Sequence, residues 1–206
     1  MQSNKKTGLF FGSFNPVHIG HMAIANYMVE FTSLGQVWFV VSRQNPLKDK
    51  IGLLPEYHRL ELVNLAIGDD LRFRASNIEF KLPEPSYTIN TLTYLGEKYP
   101  EREFALIMGA DNFVTLPKWK NYREIIDHYV IYIYPRPGIS LPENLLASYI
   151  EKGAKIEITN TPLMEISSSF IRSAIKAGKE INYFLPEKVY TYIKEMHFFE
   201  KRNSTT

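Results

Sequence analysis

The chain has 206 residues, 45% of them hydrophobic and 22% charged, proportions ordinary for a soluble folded protein. Lys and Arg number 24 against 22 Asp and Glu, a formal charge of +2. That balance argues against a nucleic-acid partner and leaves any anionic ligand to be held by local groups. The absence of cysteine excludes disulfides, thiolate metal sites and cysteine nucleophiles.

Near the N-terminus the apolar run is only Leu9-Phe10-Phe11, too short for the core of a signal peptide. No stretch approaches the roughly 18 apolar residues of a membrane span, so the protein reads as cytoplasmic, without a membrane partner. Residues 8–11 form the first strand candidate, followed by a helix over 20–31 that is apolar almost all round, as expected beneath a sheet. A second strand covers 37–41. Pro55 suits a first helical position, and Leu60, Val63 and Ile67 share a face of the helix after it. Strands follow at 71–75, 104–108 and 129–134, with a sixth at 155–158, and a helix at 88–99 is stopped by Pro100. Two more helices are expected at about 168–177 and 186–195, and the tail 201–206 is polar and frayed. Strands alternating with crossover helices predict an α/β doubly wound parallel sheet with helices on both faces. We expect one domain over 1–206, with a helical C-terminal portion at about 160–200.

In such sheets, ligands bind beyond the carboxyl ends of the strands, which directs attention to the residues after each one. Strand one runs into Gly12-Ser13-Phe14-Asn15-Pro16-Val17-His18-Ile19-Gly20-His21. His18 and His21 are three apart at a helix start, so both rings can point one way. Free amides and the positive end of the helix dipole favour phosphate there, and imidazoles gain charge most easily beside an anion. On their own, the two histidines also suit a turn with surface rings, and they are too few for a zinc site. Near the other end stands Ile166-Ser167-Ser168-Ser169-Phe170-Ile171-Arg172. Here Ser167 can cap a helix, Ser168 and Ser169 offer hydroxyls to an anion, and Arg172 follows one turn in. Alone it would read as a well-capped amphipathic helix.

The first string resembles the H-x-G-H signature of the nucleotidylyltransferase superfamily, and the second its I-S-S/T-S/T-x-x-R motif. Along nearly its whole length the chain resembles bacterial nicotinate-nucleotide adenylyltransferases, enzymes of NAD biosynthesis. The resemblance is carried by Asn45-Pro46-Leu47-Lys48, Pro85-Ser86-Tyr87-Thr88, Gly109-Ala110-Asp111 with Leu116 and Trp119, Arg136-Pro137, Tyr183-Phe184-Leu185-Pro186 and His197-Phe198-Phe199. Two positions depart from the family pattern: Phe11 stands where a glycine is common, and Leu47 where a histidine is.

The resemblance implies a Rossmann-like fold and transfer of AMP from ATP to nicotinate mononucleotide. It implies catalytic roles for His18, His21 and Arg172, and an ATP site of Gly12, Ser13, Phe14, His18, His21, Gly109, Asp111, Ile166, Ser167, Ser168 and Arg172. His21 would serve the α-phosphate, His18 and Arg172 the β- and γ-phosphates, and Asp111 the ribose or adenine side. Asn45, Lys48, Tyr87, Thr88, Trp119 and Arg136 would hold the acceptor, with Trp119 stacking on its ring and Arg136 forking its phosphate. No carboxylate cage is evident, so no protein-held metal is expected and Mg²⁺ would ride on the ATP. Homo-oligomerisation stays open. Phosphopantetheine or cytidylyl transfer shares the phosphate motifs but does not need the P-S-Y-T segment or Trp119. Nicotinamide mononucleotide as acceptor, or a nucleotide sensor without turnover, are the other readings.

Overall fold

The computed structural model describes residues 6–43 and 52–201. Its elements in chain order are β1 (Thr7–Gly12), α1 (Ile19–Phe31), β2 (Gln36–Val41), α2 (Glu56–Ile67), β3 (Phe73–Ser76) and a 3₁₀ turn (Ile78–Lys81). Next come α3 (Thr88–Lys98), β4 (Phe104–Gly109), α4 (Ala110–Thr115), α5 (Tyr122–His128) and β5 (Val130–Tyr134). The last are α6 (Glu143–Glu151), β6 (Ile156–Ile158), α7 (Ser168–Lys176) and α8 (Glu187–Glu195).

The six strands form one parallel sheet in the order β3-β2-β1-β4-β5-β6, the doubly wound arrangement the alternation predicts. Successive side chains on a strand point to opposite faces, and here both faces are covered, so the strands are apolar almost throughout. Phe10, Val37, Phe39, Val41, Ala105, Ile107 and Tyr132 pack on one side under α1, α2, α7 and α8. Leu9, Trp38, Val40, Leu106, Met108, Ile131 and Ile133 pack on the other under α3, α4, α5 and α6. Trp38, at 1% exposure, is among the largest fully buried side chains, and full burial of a large apolar side chain contributes about 1.5–3 kcal/mol.

The predicted elements match the observed ones to within one or two residues, and the differences are informative. Pro55 is not a first helical residue but the cap before α2, with an extended ψ of 144°. Helices α4, α5 and α6 were not anticipated: α4 has six residues and α5 seven, too short for a 3.6-residue period to show. In the C-terminal portion, Val189 and Ile193 of α8 are one turn apart and buried against α2. The Tyr192 hydroxyl and His58 Nδ1 join the two helices at 2.9 Å. Among the described residues no helix is long and apolar enough to cross a membrane.

Candidate active site

β1 and β4 are neighbours, but the chain leads from β1 outward to β2 and from β4 outward to β5. The strand order therefore reverses between them, and a crevice opens beyond their carboxyl ends. A cavity of about 580 Å³ occupies it, within the ~300–1,000 Å³ of small-ligand clefts. Four helices point their N-termini at it: α1 at His18, α3 at Tyr87 and Thr88, α4 at Asp111 and Asn112, and α7 at Ser167 and Ser168. Each contributes exposed amides and a positive dipole end. Among the described residues, Arg43, Lys118, Lys120, Arg136 and Arg172 line the same cavity against Glu79 and Asp111. A near-neutral chain thus gathers positive potential in one place.

The segment after β1 is packed tightly behind the two histidines. A Cβ at Gly12 would come within 2.8 Å of the Phe14 ring, so glycine there lets Phe14 fold beneath the strand end. Phe14 adopts a φ of 45° and is 1% exposed, a left-handed backbone that costs an L-residue about 1–3 kcal/mol. Its ring meets His21 edge-on with centroids 5.1 Å apart, and it also packs on Phe10 and Phe39. Phe14 therefore supports the His21 ring from the core side.

His18 caps α1 and stacks on His21, ring centroids 3.7 Å apart and planes 29° from parallel. The His18 backbone N–H donates to His21 Nδ1 at 3.2 Å. An Nδ1 that accepts leaves the neutral ring's proton on Nε2, which makes Nε2–H the donor of His21. His18 is 4% exposed and its buried Nδ1 has no hydrogen-bond partner among the described residues. Burial, and then the positive charge of Arg136, lower its pKa to about 4, so His18 is neutral near pH 7.

The second motif meets the first here. The Ser167 hydroxyl accepts from the Phe170 N–H at 3.2 Å and caps α7. The Ser168 hydroxyl donates to the Pro16 carbonyl at 2.9 Å, and Arg172 Nη1 donates to the Asn15 carbonyl at 2.9 Å. The single O–H donor of Ser168 and one arm of Arg172 are therefore used in holding the loop after β1, so that Ser168 has its helix-start amide rather than its hydroxyl to offer an anion. Ile166 and Ser13 also line the cavity.

Gly109 ends β4 but does not face the cavity. A Cβ there would collide with Asp111 Oδ1 and stand 3.1 Å from Arg136 Cγ, so glycine is what lets Asp111 and Arg136 meet. Arg136 Nε lies 3.3 Å from Asp111 Oδ1, an ion pair that lacks hydrogen-bond alignment, since that buried oxygen has no hydrogen-bond partner among the described residues. Arg136 is thus paired with Asp111, and its charge also acts on His18. Tyr87, Thr88 and half-buried Trp119 share another wall, where Lys120 Nζ sits 4.5 Å from the Tyr87 ring centroid. Asn45 and Lys48 lie outside the described residues.

Several lining residues were not anticipated. Arg43, Lys118 and Lys120 are lone cations in loops, for which spacing gives no signal. Glu79 is 3% exposed, its Oε1 accepts from the Thr91 hydroxyl at 3.1 Å, and burial pushes its pKa above the usual carboxylate range. Among the described residues no group of three or more His, Cys, Asp or Glu is placed to hold a metal ion.

The cytidylyltransferase-like family model matches residues 9–174. A Flavobacterium johnsoniae protein named "probable nicotinate-nucleotide adenylyltransferase" is 50% identical over 196 residues, covering 95% of this chain and 100% of that one. A Flavobacterium psychrophilum protein of the same name is also 50% identical over 196 residues, with the same coverage. Among solved structures, the Plasmodium falciparum nicotinic acid mononucleotide adenylyltransferase complexed with NaAD shares the fold. It matches with a TM-score of 0.77 at 19% identity, over 95% of this chain and 97% of that one. With a Rossmann-like sheet, both phosphate-type helix starts at its switch point and relatives at this identity, the chain belongs to the nicotinate-nucleotide adenylyltransferase family of cytidylyltransferase-like nucleotidyltransferases.

Proposed function

We propose that this protein transfers AMP from ATP to nicotinate mononucleotide, forming nicotinate adenine dinucleotide and pyrophosphate in NAD biosynthesis. The observation that carries this is the meeting, in one cavity, of His18 and His21 with Ser167, Ser168 and Arg172 and with Tyr87, Thr88 and Trp119. The first set suits a triphosphate and the second a flat ring with an anionic substituent. Lys118 and Lys120 flank Trp119 in sequence and line the cavity with it, which favours a nicotinate carboxylate over a neutral carboxamide.

An oxygen of the acceptor phosphate attacks the α-phosphorus of ATP, the bond to the β-bridging oxygen breaks, and pyrophosphate leaves. The attacking phosphate is already ionised near pH 7 (second pKa about 6), so the protein need not supply a base. Its work is alignment and stabilisation of the charge that grows on the transferred and leaving phosphates. His21, donating through Nε2–H, serves the α-phosphate. His18 and Arg172, with the amides of α7 and the loop of Gly12 and Ser13, serve the β- and γ-phosphates, and Ile166 shapes the same side. Asp111, with Gly109 behind it, faces the adenosine. Tyr87 and Thr88 hold the acceptor carboxylate, Trp119 stacks on its ring, and Arg136 bridges toward its phosphate together with Asn45 and Lys48.

Mg²⁺ fits this site as an ion brought in by the triphosphate, because of the two carboxylates that line the cavity among the described residues, Asp111 is paired with Arg136 and Glu79 is buried and accepts from Thr91. When bound it would supply charge neutralisation on the leaving pyrophosphate. The function is tested by following pyrophosphate release from ATP with nicotinate mononucleotide, nicotinamide mononucleotide and phosphopantetheine in parallel. The first should give the highest kcat/KM. Equal or greater turnover with either of the others would reassign the acceptor, and no turnover with any would favour a sensor.

A further inference from the structure

Arg59 belongs to neither motif and does not line the cavity, yet it is 1% exposed, one of the largest fully buried side chains of the protein. Burying a guanidinium costs several kcal/mol unless its donors are satisfied, and here they are satisfied in an unusual way. Arg59 Nε donates to the Leu54 carbonyl at 2.9 Å, and Nη1 to the carbonyls of Ser13 at 2.9 Å and Ser42 at 2.6 Å. Nη2 donates to the Arg43 carbonyl at 3.1 Å. The charge is balanced at longer range by Glu56 and Glu79, while burial pulls the guanidinium pKa down to about 10, which still leaves it charged.

The carbonyls it holds are not arbitrary. Ser13 follows β1, and Ser42 and Arg43 follow β2; all three line the cavity. The Ser42 N–H donates to the Gly12 carbonyl at 2.9 Å, continuing the ladder to where the two strands end, and Arg59 clasps both chains just beyond that point. The clasp extends through Leu54, whose N–H donates to Asn15 Oδ1 at 3.1 Å. Asn15 in turn accepts from Arg172 through its backbone carbonyl at 2.9 Å. A continuous line of hydrogen bonds therefore runs from Arg59 through Leu54 and Asn15 to Arg172. A helix needs none of this for its own stability; an apolar residue of similar volume would avoid the charge-burial cost but would leave the ends of β1 and β2 without their shared donor.

We propose that Arg59 is a positioning residue: its fork locks the ends of β1 and β2 together so that the triphosphate-side loop and the acceptor-side loop stay at reacting distance. The proposal rests on the AMP-transfer reading above. Its consequence is specific, because a misplacement of about 1 Å between two bound reactants costs on the order of 100-fold in rate, while each reactant can still bind its own wall.

The test uses Arg59→Lys and Arg59→Met in the full chain. Lys keeps the charge but cannot fork to four carbonyls; Met keeps the volume without charge. kcat and both KM values are measured by varying each substrate with the other saturating, with the folded fraction read by circular dichroism in the same solution, so that turnover is counted per folded molecule. Both variants should lose about 100-fold in kcat per folded molecule, with the Kd for ATP within about threefold of the wild type, and Lys should not rescue. Wild-type kcat per folded molecule in either variant would overturn the proposal and leave Arg59 a fold residue. So would failure of both to fold even at saturating ATP. If the wild-type protein itself forms no dinucleotide in this assay, the AMP-transfer reading fails instead.

Discussion

Arg172 Nη1 donates to the backbone carbonyl of Asn15 at 2.9 Å, across 157 residues of sequence. Together with the Ser168–Pro16 bond, this contact joins the two segments that would grip the triphosphate, and Arg172 both anchors the first loop and lines the cavity. Arg172→Ala should lower kcat by roughly 10²–10³, the scale of losing a transition-state donor. Arg172→Lys should recover only part of this, since a point charge cannot hold the carbonyl and a phosphate together. Steady-state kinetics on both variants checks it, and full activity in the Lys variant would show that only charge is needed.

His18 gives a pH signature. Its folded pKa of about 4 lies below the ordinary 6.5, so across that window the unfolded chain binds more protons, and stability falls as pH drops from 6.5 to about 4. The contribution is about 3 kcal/mol at most. Urea unfolding of the wild type and His18→Asn should show a difference that changes by this order between pH 7 and 4; a constant difference would mean that His18 is not held neutral.

The same proton couples to ligand. A triphosphate beside His18 favours its charged form, so ATP binding should take up a proton at this ring. Calorimetry at pH 6 in two buffers of different ionisation enthalpy should find greater proton uptake for the wild type than for His18→Asn. Identical uptake would place the phosphates away from His18.

Trp119→Ala should raise the KM for nicotinate mononucleotide roughly 5- to 150-fold, matching the ~1–3 kcal/mol of base stacking on an aromatic ring. The Kd for ATP should stay unchanged, and Trp119→Phe should recover most of the loss. Lys120→Met should narrow the preference for nicotinate over nicotinamide mononucleotide by about 2- to 5-fold, as expected for one exposed charge. Acceptor competition kinetics measures both effects. A Trp119 variant altered only in ATP affinity would move the ring to the other side of the cavity.

How legible all this was in the sequence depended on range. Strands such as 37–41 were readable as continuous apolar runs and helices such as 88–99 because Ile89, Leu92 and Leu95 repeat at helical spacing; Gly12, His18 and His21 stand out in a short string after a strand, and Ser167 and Arg172 in one at a helix start. Helices α4 and α5 were not, because six or seven residues with a Pro117 bend between them leave no period to detect. Arg59 sits among Tyr57, His58, Leu60 and Glu61, where a solvent-facing charge reads the same as one buried against four carbonyls. Its partners are 46, 17, 16 and 5 residues away, and only the folded chain brings them together. The Asp111–Arg136 pair was hidden for the same reason.

The central claim is attack by the acceptor phosphate on the α-phosphorus of ATP, and it is most directly tested by following oxygen. Nicotinate mononucleotide carrying ¹⁸O on its phosphate is incubated with ATP and the protein, and both products are examined by mass spectrometry. The account predicts that all the label stays in nicotinate adenine dinucleotide and that the pyrophosphate is unlabelled. Label in pyrophosphate, or a phosphorylated acceptor with ADP in place of the dinucleotide, would contradict it.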